Sequence, residues 1–283
     1  VSQLVLSEEE ATRYEQGSTW VVNAESQNAE KVDTNAPPPK GKASNFGLLG
    51  YNSFWLDPGN HLARVKGEVR TSWITEPANG KVPAKPGANK AFEGFGSFDT
   101  YETRPLSERC LLFGRQAGPI MQNAIYNNNF QFVQSPGYVM ILVEMVHEPR
   151  IIPLFASKQE AKYRPGAIKP WFGDSVGWYE GDTLVVETTN VNPAQIQALI
   201  SPTGKLTERF TRWSEDQILY EFSVDDPAYY TQPWKGEMSL NHSPQPIYEY
   251  ACHEGNYSFN GILMGARVLE SQGRKPSLVV EGE

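Results

Sequence analysis

The chain has 283 residues, a formal net charge of −8, and 39% hydrophobic and 20% charged residues. This composition predicts a soluble globular protein of one large domain or two small ones, and it excludes a disordered chain. The longest uninterrupted apolar run, from Tyr138 to Val143, is six residues, far below the roughly 20 that a membrane-spanning helix needs. Lys and Arg form no cluster, so we expect neither membrane insertion nor a nucleic-acid partner.

Residues 1–44 are predicted to form a helix followed by an extended wrap. Ser7 and Glu10 have the spacing of a capping box, and the helix that follows should end near Gly17. The proline-rich run 37–42 is typical of an extended linker. This segment is therefore expected to lie against the body of the protein without forming a domain.

Residues 45–283 are expected to form a single β domain. Its first element is a predicted hairpin in which the run 70–75 returns through the turn at 77–80 to the run 81–83. From Phe130 onward, short β-prone runs alternate with turn signals at the spacing of an antiparallel meander. The predicted strands cover residues 130–135, 138–147, 150–154, 177–180, 183–189, 205–213, 217–224, 233–240 and 246–252.

These nine short strands, without long helices between them, favour an all-β fold over a parallel α/β sheet. An up-and-down strand order closes most simply into a lipocalin-like barrel, whose interior can hold one small ligand. We therefore expect such a barrel, with a two-sheet β-sandwich as the alternative.

The two cysteines, Cys110 and Cys252, are 142 residues apart, which fits neither a CxxC redox motif nor a four-ligand zinc site. They are either two buried thiols or, in an exported protein, a disulfide, and the disulfide is then favoured. The first residue is Val1, which fits a chain trimmed by a signal peptidase and leaves export open.

Several acids lie where a simple sandwich core would not need them. In the run 138–147 both strand faces are largely apolar, so Glu144 is expected to be buried and to need a partner for its charge. Arg150 could return beside it as an ion-pair partner. Glu187 and Glu221 also lie in mid-strand, and we favour solvent exposure for both, since alternation alone cannot say which face of a closed sheet points inward.

Histidines near the ends of the strands suggest general acid/base chemistry, because histidine moves protons near neutral pH. In this hypothesis His147 or Glu144 removes a proton, and Arg150 stabilises the developing negative charge. Tyr250 or His253 then returns a proton.

Aromatic and polar side chains would line the ligand cavity, and the candidates are Tyr126, Asn128, Trp178, Tyr220 and Glu249. A metal site that includes His61 or His242 is disfavoured, because neither HExxH nor a paired HxH spacing occurs. The sequence also has no GxSxG motif, P-loop or dinucleotide fingerprint. Covalent hydrolysis and nucleotide chemistry are disfavoured, and no cofactor is expected.

Several long motifs, in the expected order, resemble a large family of exported bacterial hypothetical proteins. The principal motifs are EMVHEPRIIP at 144–153, GDSVGWYEGDTLVVETTN at 173–190 and YEYAC at 248–252. The match covers most of residues 50–267 and implies an exported, periplasmic protein with one shared domain. It places Glu144, His147 and Arg150 inside a family motif. One departure occurs at 154–157, where the family often has Asp-Gly-Arg.

Three functional classes fit these patterns. The leading expectation is a lyase or isomerase that acts on a small hydrophobic, aromatic or terpenoid-like substrate in a barrel cavity. The alternative is a lipocalin-like binding protein for a hydrophobic or carbohydrate ligand, since aromatic faces stack on both. A structural envelope protein is the third. A small-molecule ligand is the expected partner, and a homodimer is compatible with the chain.

Overall fold

The computed structural model describes residues 3–17, 61–88, 101, 104–113, 118–124, 126–195 and 199–274. Within these residues the protein is mostly β-sheet, with three sheets and two α-helices, so the predicted all-β class is confirmed. The strands are β1 (Val5–Leu6), β2 (Arg64–Val65), β3 (Glu68–Arg70), β4 (Ile74–Glu76), β5 (Phe130–Ser135), β6 (Tyr138–Val143), β7 (Pro149–Pro153), β8 (Asp174–Glu180), β9 (Thr183–Thr189), β10 (Lys205–Arg212), β11 (Gln217–Asp225) and β12 (Trp234–Asn241). The helices are α1 (Glu8–Gly17) and α2 (Tyr257–Ser271).

Helix α1 begins with the predicted capping box. The Ser7 hydroxyl accepts a hydrogen bond from the Glu10 N–H at 3.2 Å, and the Glu10 carboxylate accepts one from the Ser7 N–H at 2.9 Å. Both bonds satisfy backbone donors that a helix start leaves open. The helix is described as far as Gly17. The predicted wrap that follows, up to residue 44, lies outside the described residues.

The largest sheet has six strands in the order β4-β12-β11-β10-β9-β8. Strands β8 to β12 follow one another as the predicted antiparallel meander. Because alternate residues of a strand share a face, the inner face collects large aromatic side chains. Phe210, Tyr220, Phe222 and Trp234 form a continuous row with successive ring centroids 5.0 to 5.5 Å apart.

A three-stranded sheet, in the order β5-β6-β7, packs against this inner face. Val139, Ile141 and Ile152 belong to the same buried core as the aromatic row. The two sheets also meet through a parallel bridge between Leu154 and Gly177. A Cβ atom at Gly177 would lie 3.0 Å from Ile152 Cγ2, so the close approach of the sheets favours a residue without a side chain there.

No sheet in the described part of the chain closes on itself, so the predicted lipocalin-like barrel is not confirmed. Over these residues the two larger sheets face each other across a common core. The third sheet, in the order β1-β3-β2, is fastened to β12 by an ion pair of 2.5 Å between Arg70 and Glu237.

Three local predictions are wrong because tertiary contacts replace the sequence pattern. Strand β4 pairs with β12, and the run 81–83 forms no strand beside it. Strand β6 ends at Val143, because Val146 and His147 adopt positive φ values of 66° and 57° that turn the chain. Residues 246–252 contain no strand, and helix α2, which was not predicted, follows them.

Cys110 and Cys252 form a disulfide, with their Cα atoms 5.7 Å apart, as favoured from the sequence. The bond joins the loop 104–113 to the segment that precedes α2. Asn256 supports this junction, because its side-chain amide donates to the Glu108 carbonyl at 2.6 Å. The C-terminal segment is therefore held by a covalent bond where strand pairing is absent.

We expect the Cys110→Ala/Cys252→Ala variant to lose about 2–4 kcal/mol of unfolding free energy, because the unfolded chain is no longer cross-linked. Urea unfolding without reductant measures the difference. As a control, dithiothreitol should destabilise the wild-type protein and leave the variant unchanged. Equal stability of wild type and variant would show that the bond does not restrain the chain.

Candidate functional site

A buried ion pair joins the two larger sheets. Arg150 of β7 and Glu208 of β10 have side chains 1% and 0% exposed. Arg150 donates from Nη2 to one Glu208 oxygen at 2.5 Å and from Nη1 to the other at 3.1 Å. The two parallel bonds match the fork of the guanidinium to the carboxylate. The predicted partner of Arg150, Glu144, is therefore wrong: the arginine crosses to the opposite sheet.

The pair is embedded in further hydrogen bonds from the core. The Tyr220 hydroxyl donates to Glu208 at 2.9 Å and accepts from the Met121 N–H at 3.3 Å. Arg150 also donates to the Pro119 carbonyl at 3.2 Å. These contacts fasten the segment 118–121 to both sheets, so the network positions a loop as well as the strands.

Burial and the Glu208 charge shift the pKa of Arg150 in opposite directions and that of Tyr220 in the same direction. Burial alone would lower the pKa of Arg150, but the adjacent Glu208 carboxylate overcomes it, and the pKa of Arg150 is raised. Burial raises the pKa of Tyr220 well above its ordinary value, and the Glu208 charge adds to this effect. Arg150 therefore stays charged and Tyr220 neutral, and neither can exchange protons near neutral pH.

Glu144 is buried, as predicted, but among the described residues its partners are amides, not a cation. Its carboxylate accepts bonds from Asn129 Nδ2 at 2.7 Å and from the Asn129 N–H at 3.3 Å. The other oxygen accepts from the Tyr248 N–H at 3.3 Å. Glu144 thus holds two irregular segments of backbone together.

His147, three residues after Glu144, also hydrogen-bonds irregular backbone. Its Nε2 atom lies 3.1 Å from the Tyr248 carbonyl oxygen, and the Tyr250 N–H approaches the ring nitrogens at 3.1 to 3.3 Å. A neutral ring that donates from Nε2 and accepts at Nδ1 satisfies both contacts. Residues 246–252 have no strand partner, so the side chains of Glu144 and His147 provide part of the hydrogen bonding that a ladder would have given.

The structure brings together part of the predicted catalytic set. Tyr250, together with the predicted ligand residue Tyr126, packs against the buried cluster that contains Val143 and Met145. Burial raises the pKa of both tyrosines. His253 does not join them, because it is exposed at the start of the turn before α2.

The other predicted ligand residues are dispersed. Tyr220 is buried in the ion-pair network, and Glu249 is exposed in the irregular segment. Trp178 is buried on the outer face of the six-stranded sheet, and the Lys158 ammonium nitrogen lies 5.7 Å from the centroid of its ring. Asn128 is exposed at the mouth of a cleft described below.

A second charged cluster covers this outer face. Glu187 is only 6% exposed, so the predicted solvent exposure is wrong for this residue. It accepts hydrogen bonds from the Tyr163 hydroxyl and, at 2.9 Å, from Lys158. Burial disfavours the charged carboxylate and by itself would raise the pKa of Glu187. The hydrogen bonds from Tyr163 and Lys158 outweigh burial, and the pKa is lowered. Glu221 does face outward, with its side chain 37% exposed and 3.7 Å from Lys66.

A cleft of about 830 Å³ opens between β5, the ends of β9 to β12 and the segments 121–123, 128–129 and 242–247. Its floor is apolar and includes Phe132, Phe210 and Leu240. Amide side chains surround that floor, among them Gln122, Asn128, Gln131, Gln134, Gln217 and Asn241.

Polar groups at the mouth of the cleft include Asp182, Arg212, Glu215 and Asp216. Of the residues predicted to bind ligand or catalyse, only Asn128 lines this cleft. The sequence signal that was missed is the pair of glutamines, Gln131 and Gln134, within the otherwise apolar run of β5, Phe-Gln-Phe-Val-Gln-Ser. Each glutamine of that strand borders the cleft.

No family model, curated protein or solved structure matches this chain. Neither helix in the described part of the chain is long and apolar enough to cross a membrane.

We expect Glu208→Leu to lower the unfolding free energy by about 3–5 kcal/mol, because Arg150 is left buried and unpaired. Adding Arg150→Met should recover most of this loss. Glu180→Gln, which breaks the exposed pair with Arg209, is the control and should change stability little. Urea unfolding measures all three, and a small effect of Glu208→Leu alone would contradict the role of the pair.

The lowered pKa of Glu187 predicts a loss of stability in acid. Its folded-state pKa lies below the ordinary value of 4.5, so its contribution is present above about pH 4.5 and is lost as pH falls through the folded-state value. Glu187→Gln should be less stable at neutral pH and lose less stability on acidification. Urea unfolding from neutral pH to about pH 3 tests this, and parallel pH profiles for the two proteins would refute it.

Proposed function

We propose that the protein is a non-catalytic binding protein whose ligand lies in the cleft between β5 and the six-stranded sheet. The observation that supports this most directly is the composition of the cleft: an apolar floor framed by amide side chains. A site of this kind buries an apolar body and fixes its orientation through a few hydrogen bonds. The ligand class that suits it is amphipathic.

The use of the ionisable groups supports binding over catalysis. Arg150 is enclosed with Glu208, and Glu144 and His147 hydrogen-bond backbone segments. None of these four lines the cleft. A general acid or base must reach the reacting atoms, and groups engaged in this way act on the fold instead.

The position of the cleft between two facing sheets makes the lipocalin-like carriers a functional analogy. The disulfide adds support for export, because such bonds persist in oxidising compartments. We therefore retain an exported, periplasmic binding protein as the proposal.

An acid/base lyase or isomerase is the second candidate, because Glu144, His147 and Tyr250 meet around one turn. Val146 and His147 of that turn have consecutive positive φ values, an uncommon conformation that is concentrated at functional sites. A substrate at this turn would have to replace the backbone contacts of Tyr248 and Tyr250.

The proposal predicts that Leu240→Trp blocks the cleft. N-phenyl-1-naphthylamine, a neutral apolar fluorophore, should bind wild type and bind this variant about tenfold more weakly, a loss of 1.4 kcal/mol. Met264→Trp is the matched control, because Met264 is 67% exposed on α2, outside the cleft. Fluorescence titration measures both affinities.

Equal binding by Leu240→Trp and wild type would place the fluorophore elsewhere and contradict the proposed site. Urea unfolding of both variants shows whether the substituted proteins remain folded. A folded Leu240→Trp variant with unimpaired fluorophore binding would overturn the proposal.

A further inference from the structure

The cleft is bordered by an edge of β5 that, among the residues the structure describes, lacks the usual protection. Strand β5 pairs only with β6 in the described part of the chain, so its other edge is open. Proteins protect such edges with charges, prolines, bulges or covering segments, because unpaired strand backbone recruits other chains. The six residues of β5 include no charge and no proline, and their register with β6 is continuous from Phe130 to Ser135.

The opposite edge of the same sheet shows the contrast. Strand β7 begins at Pro149 and ends at Pro153, and each proline removes a backbone donor. The next residue, Leu154, bridges to Gly177 of β8 and covers the end of this edge. Among the described residues the sheet is therefore protected on one side, and no strand pairs with β5 on the side that borders the cleft.

The hydrogen-bond ladder between β5 and β6 shows which backbone groups of β5 face away from β6. The Glu144 N–H donates to the Asn129 carbonyl at 3.0 Å, so Asn129 turns its carbonyl toward β6. Successive residues of an antiparallel strand point their N–H and C=O groups to opposite sides. Phe130, Phe132 and Gln134 therefore turn these groups toward the open edge. All three residues line the cleft.

The charge of the cleft mouth restricts the occupant. Asp182, Glu215 and Asp216 carry negative charge there, against the single arginine Arg212. The whole chain has a net charge of −8, which disfavours approach of a second copy. A neutral or basic segment is favoured.

We propose that the ligand of this cleft is an extended polypeptide segment, neutral or basic, that adds to β5 as a further strand. This inference rests on the proposed binding function and names its ligand class. Backbone hydrogen bonds to Phe130, Phe132 and Gln134 hold the segment, as in other strand-addition complexes. Its alternate side chains meet Phe132 and Phe210 on the floor of the cleft.

Two acetylated and amidated hexapeptides test the proposal. Both have valine at every second position. The three other positions hold one threonine and two lysines in the first peptide, and one threonine and two glutamates in the second. Each matches the six residues of β5. Isothermal titration should show the lysine peptide binding about threefold more tightly, because of the acidic mouth. Hydrogen exchange should show rapid exchange of the Phe132 and Gln134 amides in the free protein and protection with peptide.

Gln134→Pro removes one outward N–H without removing a β5–β6 hydrogen bond. We expect it to weaken peptide binding about tenfold, because one peptide carbonyl is left unpaired. Gln134→Ala is the matched control. It loses the same 2.5 Å side-chain bond to the Tyr179 hydroxyl but keeps the N–H, and should bind within about twofold of wild type.

Four results overturn the inference: equal peptide binding by the two folded variants, protected β5 amides in the free protein, peptide-independent dimerisation through β5, and failure of both peptides to bind. If the neutral fluorophore still binds the cleft in any of these cases, the proposed binding function stands and only the ligand class is wrong. If neither fluorophore nor peptide binds, both proposals fail.

Discussion

The buried ion pair between Arg150 and Glu208 is the interaction on which the arrangement of the two larger sheets depends. Either charge alone in the core would be strongly unfavourable, whereas the bidentate contact and the Tyr220 hydroxyl satisfy the carboxylate. Strand β7 must therefore sit opposite β10 at one position. The same arginine binds the Pro119 carbonyl, so the segment that leads into the cleft wall is fixed with the sheets. The contact thereby positions the segment whose Met121 lines the cleft.

Buried polar side chains also position the irregular parts of the cleft wall. Glu144 and His147 hold the backbone of Tyr248 and Tyr250, directly after the segment 242–247 that borders the cleft. Residues in the motif 144–153 can thus be essential to the site without touching a ligand. Their polar character within apolar sequence arises from a structural demand for hydrogen bonds that irregular backbone cannot meet internally.

The sequence predicts the meander well because each strand from β8 to β12 has its own alternation and turn. It predicts Glu144 to be buried because both faces of the run 138–147 are largely apolar. It cannot predict the partner of Arg150, because Glu208 lies 58 residues away on the opposite sheet and nothing local indicates the pairing. The cleft is missed because its residues come from separate segments. Only the two glutamines of β5 gave a local signal, and polar residues within a strand do not by themselves distinguish a cleft from solvent.

The six-stranded sheet is completed by its earliest strand. Strand β4 lies beside β12, and Lys235 contacts Glu76 across 159 positions of sequence. Closing so long a loop carries an entropic cost before the pairing stabilises anything, and contacts of this kind slow folding. During synthesis, β4 must remain without its partner until β12 has emerged. An exported protein with this topology would cross the membrane before its largest sheet could be completed.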